Sequence, residues 1–441
     1  EKIDSTVKVE VFLTGELPAD YKKLSLAAAD ILESFNSYAN NNIEVEFIDP
    51  VEGLADDTAK AMRYDSLQKM GIVFEQVNNQ WVLPSALVYY RKNQAPIPVD
   101  LRSSRKIYKQ FNVIAEEPQE DVEATRNAAE ALLENKFATA IDKITRQDVP
   151  TIAYVVGNGQ PTDLTVNDLG ESLRNEYRLG IFNLKQGYPD ASIIKTLLIV
   201  KPKEIFTDED LLKLDQYVMR GGKLLLFIDN LIAEQDSLQG KAKGETIAYD
   251  RDLNLTDQLF RYGVRINTDL LMDLQCDLIP IVVGGTMENP QMEFLHWNYF
   301  PFLVAPDSKV SKNIGYVAGR FVNSIDTIEV AGIKKTPLLV SSPNSRIIST
   351  PALISLNENK NVPQDIKFNR NAIPAAVLLE GKFTSLFRNK LGKNVLDSLA
   401  SVNQPFQPTS AESKMIVVAD GDIVLNDVLP DSGPIPMGWN K

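Results

Sequence analysis

Three aspartates stand where two predicted strands end, and their side chains suit cation or partner binding. Asp229 follows the apolar run 223–228, and Asp420 and Asp422 close the run MIVVADGD. Open α/β sheets bind ligands beyond the carboxyl ends of their strands, and carboxylate oxygens suit divalent cations. Carboxylates at strand ends also form turns and helix caps. We predict that role rather than a metal site, and we keep the three aspartates and Asn230 as candidates for a ligand or partner surface.

Nucleophilic catalysis is a second possible chemistry, because Cys276 and His296 form the one available thiol–imidazole pair. A nucleophilic cysteine needs a base that holds it as a thiolate. The two residues flank a predicted strand, so they can lie close in space. Neither stands in the tight strand-to-helix turn that lifts a nucleophile above a sheet. We therefore predict that the chain is not an enzyme, with a cysteine hydrolase or amidotransferase relic as the alternative.

A glycine-containing loop invites comparison with nucleotide-binding proteins. Gly157 and Gly159 follow a predicted strand and precede a helix, but Thr162 stands where the third glycine of a dinucleotide loop belongs. No Walker lysine follows either. The pattern favours a tight turn in an exposed loop, and we predict no cofactor.

Aromatic residues are densest between positions 294 and 302. Aromatic faces bind sugars and anchor protein interfaces, although core packing is their commonest role. We keep Trp297, Tyr299 and Phe300 as candidates for a ligand or partner surface. The alternative function is a carbohydrate- or peptidoglycan-binding module that uses segment 294–302. Solvent-facing rings around a groove would favour this module, and buried rings would remove it.

The element that must position Asp229 is a capped helix followed by a buried strand. Thr207 and Asp210 have the spacing of a capping box, and Gly221 follows the last predicted helical turn. The continuous apolar run 223–228 is typical of a strand that is covered on both faces. A similar pattern predicts that Thr165 caps a helix that Gly180 ends.

The first 114 residues predict a small domain in the order βαβαββ, which is that of a thioredoxin-like domain. Its predicted elements are strand 7–13, helix 21–39, strand 43–49, helix 56–70, and a hairpin of strands 72–77 and 81–90. Cysteines are missing from the turn 14–18, where a redox member carries C-x-x-C. We therefore expect a scaffold or binding module.

Residues 115–149 are predicted to connect two domains. The acidic, proline-containing segment 115–121 indicates a linker, and residues 122–146 carry the apolar stripe of a long helix. We expect this helix to pack on both domains.

Residues 150–441 predict a second domain, in which strands alternate with amphipathic helices. This alternation is typical of a doubly wound parallel sheet with helices on both faces. A mixed α+β extension follows, in which residues from about 231 to 370 are a candidate inserted subdomain. In it we expect loops at 230–250, a helix at 252–262, an aromatic segment interrupted at Pro301, and a surface excursion at 381–401.

Composition excludes several classes of function. The net charge of −13 argues against nucleic acid and anionic membrane surfaces as main partners. A single cysteine permits no intrachain disulfide and no zinc cluster. No apolar run reaches the ~18 residues of a membrane span. Because the chain starts with Glu1, we expect that a leading signal or anchor segment is missing.

Four stretches, spread in order over nearly the whole chain, together resemble one family. They are VKVEVFLTGELP near the start, LDQYVMRGGKLLLFID, DLQCDLIPIVVGG and PAAVLLEGKFTSLF. The chain is similar to the GldG family, the gliding-motility-associated auxiliary, or "substrate-binding", subunits of ABC transporters in Bacteroidetes. The resemblance implies a central domain like flavodoxin-like and glutamine-amidotransferase-like folds, without an amidotransferase triad.

The resemblance also implies a function. We expect a non-catalytic region at the periplasmic face of the inner membrane, tethered by transmembrane helices that this chain lacks. Its partners would be a separate permease and a separate ATPase, and it would bind a partner or cargo and bias the permease. The resemblance identifies neither the cargo nor any binding residue.

Overall fold

A computed structural model describes residues 5–437 apart from 55, 78–79, 92–93, 104–106, 108–120, 147, 235–237, 239–243, 287–289, 307, 309, 312–313, 357–364, 402–403 and 430–432. The described residues form a mixed α/β structure with seven α-helices. The chain divides into two compact units, Glu1–Asp148 and Val149–Lys441.

The first unit is built from six strands and three helices. In chain order they are β1 (Val7–Val11), α1 (Ala19–Tyr38), β2 (Ile43–Phe47), α2 (Asp57–Lys69), β3 (Glu75–Val77), β4 (Gln80–Val82), β5 (Ser85–Tyr89), β6 (Ile97–Asp100) and α3 (Val122–Thr145). The main sheet has the order β2-β1-β5-β6, and only the pairing of β1 with β2 is parallel. The core on one face of this sheet includes side chains of α1 and α3, and Leu67 of α2 packs on the other.

One predicted strand of this unit is divided in the structure, and the predicted long helix is present. The predicted strand 81–90 is wrong as a single element, because Pro84 offers no N–H to a ladder and separates β4 from β5. Strand β4 pairs with β3, whereas β5 joins the main sheet between β1 and β6. The predicted long helix is present as α3, and its apolar stripe packs into the core of this unit. Residues 115–120 of the predicted linker lie outside the described residues.

The second unit begins with alternating strands and helices and continues with many strands. Its elements up to the middle of the chain are β7 (Thr151–Val156), α4 (Asn167–Glu176), β8 (Arg178–Asn183), β9 (Ile194–Val200), α5 (Asp208–Met219), β10 (Lys223–Phe227), β11 (Leu231–Ile232), β12 (Glu245–Asp250), α6 (Thr256–Tyr262), β13 (Val264–Ile266), β14 (Asp269–Asp273), β15 (Cys276–Gly285) and β16 (Pro290–Val304). The remainder are β17 (Tyr316–Ala318), β18 (Ile325–Thr327), β19 (Ile333–Val340), β20 (Ser345–Ser349), β21 (Ala352–Ser355), β22 (Pro374–Thr384), α7 (Lys393–Ser401), β23 (Thr409–Val418), β24 (Val428–Leu429) and β25 (Gly433–Pro434).

One ten-stranded sheet organises this unit. Its order is β15-β16-β19-β22-β23-β10-β9-β7-β8, and β17 pairs with β16. The five strands from β23 to β8 are parallel to one another, whereas the pairings from β15 to β23 are antiparallel. Residues assigned by sequence to a possible inserted subdomain thus supply β15, β16 and β19 to this same sheet.

Helices cover both faces of the parallel half. Leu211 and Leu214 of α5 belong to the core that contains Val155 of β7 and Ile199 of β9. On the other face, α4 packs against a core that contains Leu198, the neighbour of Ile199 in β9. Strand β10 lies between β9 and β23, so its apolar run is covered on both faces and paired along both edges.

The helix ends test the capping predictions. Thr207 and Asp210 form the predicted capping box at α5, and Gly221 has the expected left-handed φ of 86°. The prediction for the preceding helix is wrong, because Asp163 accepts a hydrogen bond from the Thr165 N–H and fixes a 3₁₀ turn there. Helix α4 therefore begins at Asn167, and Gly180 lies within β8.

The expectations for the extension are partly wrong. Segment 230–250 contains strands β11 and β12, and the helix predicted at 252–262 begins only at Thr256. Strand β16 continues through Pro301, whose carbonyl accepts a hydrogen bond from the Gly319 N–H. The predicted surface excursion begins with the end of β22, and most of its residues from 388 to 401, including those of α7, are exposed as expected.

The helix caps predict that alanine substitutions at Thr207 and Thr165 change the stability of the second unit by different amounts. We expect Thr207→Ala to lower the free energy of unfolding of the second unit by about 1 kcal/mol, because the Asp210 N–H loses its acceptor. Thr165→Ala is the matched control. It should change the free energy of unfolding by less than about 0.5 kcal/mol, because the exposed Thr165 hydroxyl caps no α-helix. Urea unfolding followed by circular dichroism measures both, and equal effects would contradict the assignment.

Candidate functional site

The carboxyl ends of β9, β10 and β23 bring one lysine and several carboxylates together. The side-chain oxygens of Asp229, Asp420 and Asp422 lie within 4.8 Å of one another. Lys201, which follows β9, points its Nζ among them at 2.5 Å from Asp422 Oδ1, 3.4 Å from Asp229 Oδ2 and 3.0 Å from Glu234 Oε2. We call these five residues the Lys201 cluster. Sequence analysis grouped the three aspartates but missed Lys201 and Glu234.

Backbone geometry explains how the lysine reaches the carboxylates. Lys201 has a φ of 41°, in the left-handed region, and its N–H donates to the Phe227 carbonyl at 2.8 Å. Gly421 is required beside it, because a Cβ there would lie 2.8 Å from Lys201 Cβ and 3.0 Å from Asp229 Oδ1. The Gly421 N–H also donates to Asp229 Oδ1. The glycine between the two aspartates therefore allows β9, β10 and β23 to end in one compact cluster.

Asp420 is bound by the backbone rather than left open to a ligand. One of its oxygens accepts hydrogen bonds from the N–H groups of Asp422 (2.8 Å) and Ile423 (3.2 Å), and the other accepts from the Arg320 N–H at 2.8 Å. These contacts make Asp420 a turn-forming residue.

The electrostatics of the Lys201 cluster follow from burial and crowding. Burial alone would lower the pKa of Lys201, but the carboxylates of Asp229, Asp422 and Glu234 outweigh it and raise that pKa. Burial and then the charge of Asp422 raise the pKa of Asp229 to about 7, despite the nearby lysine. Burial also raises the pKa of Asp420. The lysine ammonium thus supplies the positive charge among these carboxylates, and the arrangement fits a structural ion cluster better than a divalent cation site.

Asn230 also serves the structure of this edge. Its N–H donates to Asn323 Oδ1 at 2.9 Å, and its side-chain Nδ2 donates to the Ile266 carbonyl at 3.2 Å. The side chain therefore has a partner within the fold.

The glycine loop after β7 is filled by neighbouring backbone. The Asn158 carbonyl accepts hydrogen bonds from the N–H groups of Lys203 and Glu204, both at 3.0 Å. A Cβ on Gly159 would lie 3.1 Å from both of these side chains. Gly159 thus permits close packing of two loops, and a Cβ on Gly157 would lie 2.9 Å from Asn183 Oδ1, in agreement with the predicted tight turn. Asn158 itself is fully buried rather than exposed.

Cys276 and His296 lie close together but do not form a thiol–imidazole pair. The His296 Nδ1 is 3.1 Å from the backbone carbonyl of Cys276, whereas the thiol is 3.4 Å from Asn298 Oδ1. Burial, and then the negative charges of Asp273 and Asp277, raise the pKa of Cys276 to about 12. A thiol that stays protonated is a poor nucleophile, so this geometry does not support the hydrolase alternative.

The three aromatic candidates are in the core, so their assignment to a ligand or partner surface is wrong. Trp297, Tyr299 and Phe300 are 1%, 1% and 4% exposed, and Trp297 packs edge-on against the other two rings. The Trp297 Nε1–H donates to the Ser355 carbonyl at 3.0 Å. The burial of these three rings argues against the sugar-binding alternative and leaves Phe294, which is 58% exposed, as the solvent-facing ring of the candidate segment.

A shallow cavity of about 340 Å³ lies at the opposite, amino-terminal edge of the parallel strands. Its lining residues are Asp190, Ala191, Ser192, Met219, Arg220, Gln407 and Ala411. The Arg220 guanidinium donates to the carbonyls of Gln216 (3.2 Å) and Pro405 (2.9 Å) and thereby joins helix α5 to the segment before β23.

Among the described residues, no helix combines the length and apolar character needed to cross a membrane.

Comparison with known proteins identifies a family. A family model described as "ABC-type uncharacterized transport system" matches residues 149–440, and one described as a domain of unknown function matches residues 1–89. No curated protein matches the sequence.

Two solved structures show only a distant similarity. The mmIFT52 N-terminal domain is 12% identical, with a TM-score of 0.34, over 62% of this chain and 88% of that chain. The exo-beta-1,4-mannosidase Op5Man5 from Opitutaceae bacterium strain TAV5 is 11% identical, with a TM-score of 0.25, over 67% of this chain and 34% of that chain. At these scores neither carries an argument about function.

The raised pKa of Asp229 predicts that the difference in stability between wild type and Asp229→Asn depends on pH. Its carboxyl stays protonated up to about pH 7 in the folded chain but ionises near pH 3.8 when unfolded. The contribution of Asp229 to stability is therefore lost as the pH rises from about 4 to about 7, and is constant above that. Asp229→Asn cannot ionise, so its free energy of unfolding should improve relative to wild type by roughly 1 kcal/mol per pH unit in this window.

Urea unfolding at pH 5, 6, 7 and 8 measures this difference, with the exposed Asp397→Asn as the control. A difference between Asp229→Asn and wild type that stays constant from pH 5 to 7 would contradict the raised pKa.

The burial of Cys276 predicts that its thiol is inert in the folded protein. We expect iodoacetamide to modify it only after unfolding, because it is buried and protonated. A matched control is Ser401→Cys in a Cys276→Ala background, which places a thiol at an exposed position. Mass spectrometry after a timed reaction at pH 8 measures both, and comparable rates would show that Cys276 is accessible as a thiolate.

Proposed function

Because the chain belongs to the family of ABC-type uncharacterized transport systems, we propose that it is an auxiliary subunit that works with a separate permease and a separate ATPase. The observation that carries this proposal is the family match over residues 149–440. The proposed role is non-catalytic: the subunit binds the permease or a cargo and biases the conformation of the permease.

Three features of the second unit support a binding role rather than an enzymatic one. The carboxyl edge of the parallel strands, where open α/β sheets bind ligands, is filled by the Lys201 cluster. The loop at Gly157 and Gly159 is packed against residues 203 and 204. Cys276 is buried and protonated.

The finer assignment is part of the same proposal. We propose a GldG-like subunit of Bacteroidetes type, placed at the periplasmic face of the inner membrane and tethered by helices outside this sequence. In this proposal the first unit is a thioredoxin-like scaffold, supported by its sheet order β2-β1-β5-β6. The second unit is flavodoxin-like, supported by parallel strands that α4 and α5 cover on opposite faces.

Co-purification tests the role of the chain. We expect the tagged full-length protein, extracted from its own cells in mild detergent, to retain a permease and an ATPase, identified by mass spectrometry. The isolated chain should bind no ATP in equilibrium dialysis, because nucleotide binding belongs to the separate ATPase. Recovery of neither transporter subunit, or stoichiometric ATP binding by this chain alone, would overturn the proposal.

A further inference from the structure

The outer face of a small antiparallel sheet in the second unit is apolar. Strands β11, β12 and β21 pair in that order, and three of their large apolar side chains are more than half exposed: Ile247 (57%), Tyr249 (52%) and Leu353 (56%). An antiparallel sheet with one solvated face normally alternates apolar and polar residues. Apolar residues grouped on an exposed face mark interaction sites.

Strand register places these side chains next to one another. Ile247 lies directly opposite Leu353, and Tyr249 lies directly opposite Ile232. Directly opposed side chains on one face are about 5 Å apart at Cβ. The four residues therefore form one continuous strip across three strands, which we call the β12 face.

The core behind this face holds it in place. Ala248, Ala352 and Ile354 point the other way and are buried in the core that contains Trp297 and Tyr299. The Trp297 indole and the Tyr299 hydroxyl donate to backbone carbonyls of β21, at 3.0 and 3.4 Å. A face that is ordered before binding loses less entropy when a partner binds.

Charge indicates the kind of partner. The three strands carry two carboxylates, Glu245 and Asp250, and no lysine or arginine. Glu245 alternates with Ile247 and Tyr249 and therefore shares their face. Complementary potentials favour a partner whose apolar surface is bordered by Lys or Arg, and they disfavour an anionic lipid surface.

We propose that the β12 face is the docking surface for a transporter subunit that presents an apolar patch bordered by basic residues. This inference rests on the proposed function and adds to it the place of contact. The apolar strip supplies most of the affinity, and Glu245 favours a basic partner.

The test measures the affinity of this chain for the transporter subunit that co-purifies with the wild type. We expect the double variant Ile247→Ser/Leu353→Ser to bind about 30-fold more weakly, as for loss of a hot spot. Ile181→Ser is the matched control, because Ile181 is 78% exposed on the edge strand β8 of the same unit. It should bind as the wild type does, and unchanged melting temperatures verify that all variants fold.

A charge reversal provides an independent readout. Glu245→Lys should weaken binding at low salt, and the difference from wild type should shrink as salt is raised. If the double variant binds the transporter subunit as tightly as the wild type does, the assignment of docking to the β12 face is wrong and the proposed function still holds. If the double variant instead only abolishes self-association in sedimentation, the face belongs to a second copy and the inference is wrong. Failure of the wild type to retain any transporter subunit overturns both.

Discussion

The second unit depends on one buried polar cluster, in which the Lys201 ammonium after β9 contacts carboxyl groups after β10 and β23. Asp229 and Gly421 are 192 positions apart and share a hydrogen bond there. Removing one member of a buried ion pair leaves the other charge buried without a partner. The resulting loss of stability is much larger than the net stability that the intact pair contributes. The Lys201 cluster joins the ends of β9, β10 and β23, and β23 is the strand at which the antiparallel half of the sheet begins. The cluster also fills the edge at which sheets of this kind bind ligands.

A repeated polar contact stabilises the rest of this unit. Asp215, Asp269 and Asp273 are buried aspartates, and each accepts a hydrogen bond from the hydroxyl of a distant serine, at 2.6 to 2.7 Å. In the last two cases the N–H of the same serine donates as well. Each pair satisfies a buried carboxylate and fixes one strand or helix of the sheet region against a later segment of the chain. Hydrogen-bonded carboxylates of this kind are structural, which explains why acidic residues in the core do not mark an active site.

The sequence predicted what is local and missed what depends on distant contacts. The capping box at Thr207, the glycine at 221 and the apolar run of β10 are short-range patterns, and all three were correct. The cap at Thr165 failed because two acceptors compete within three residues, and the spacing alone did not select Asp163. Lys201 was missed because its partners lie up to 221 positions away. The rings of β16 were misplaced because aromatic residues look alike in sequence whether they line a groove or fill a core.

Function in this unit is therefore expected at its surfaces rather than at the edge of its sheet. Lys201 already contacts three carboxyl groups of this cluster, so a ligand that bound there would have to separate groups that burial has brought together. An exposed apolar strip has the opposite property, because covering it releases water and needs no rearrangement of the strands that carry it. The β12 face lies on the outer side of strands whose inner side packs on Trp297. The same aromatic residues that a sugar-binding hypothesis placed at the surface thus support, from the core, the surface that we propose as a docking site.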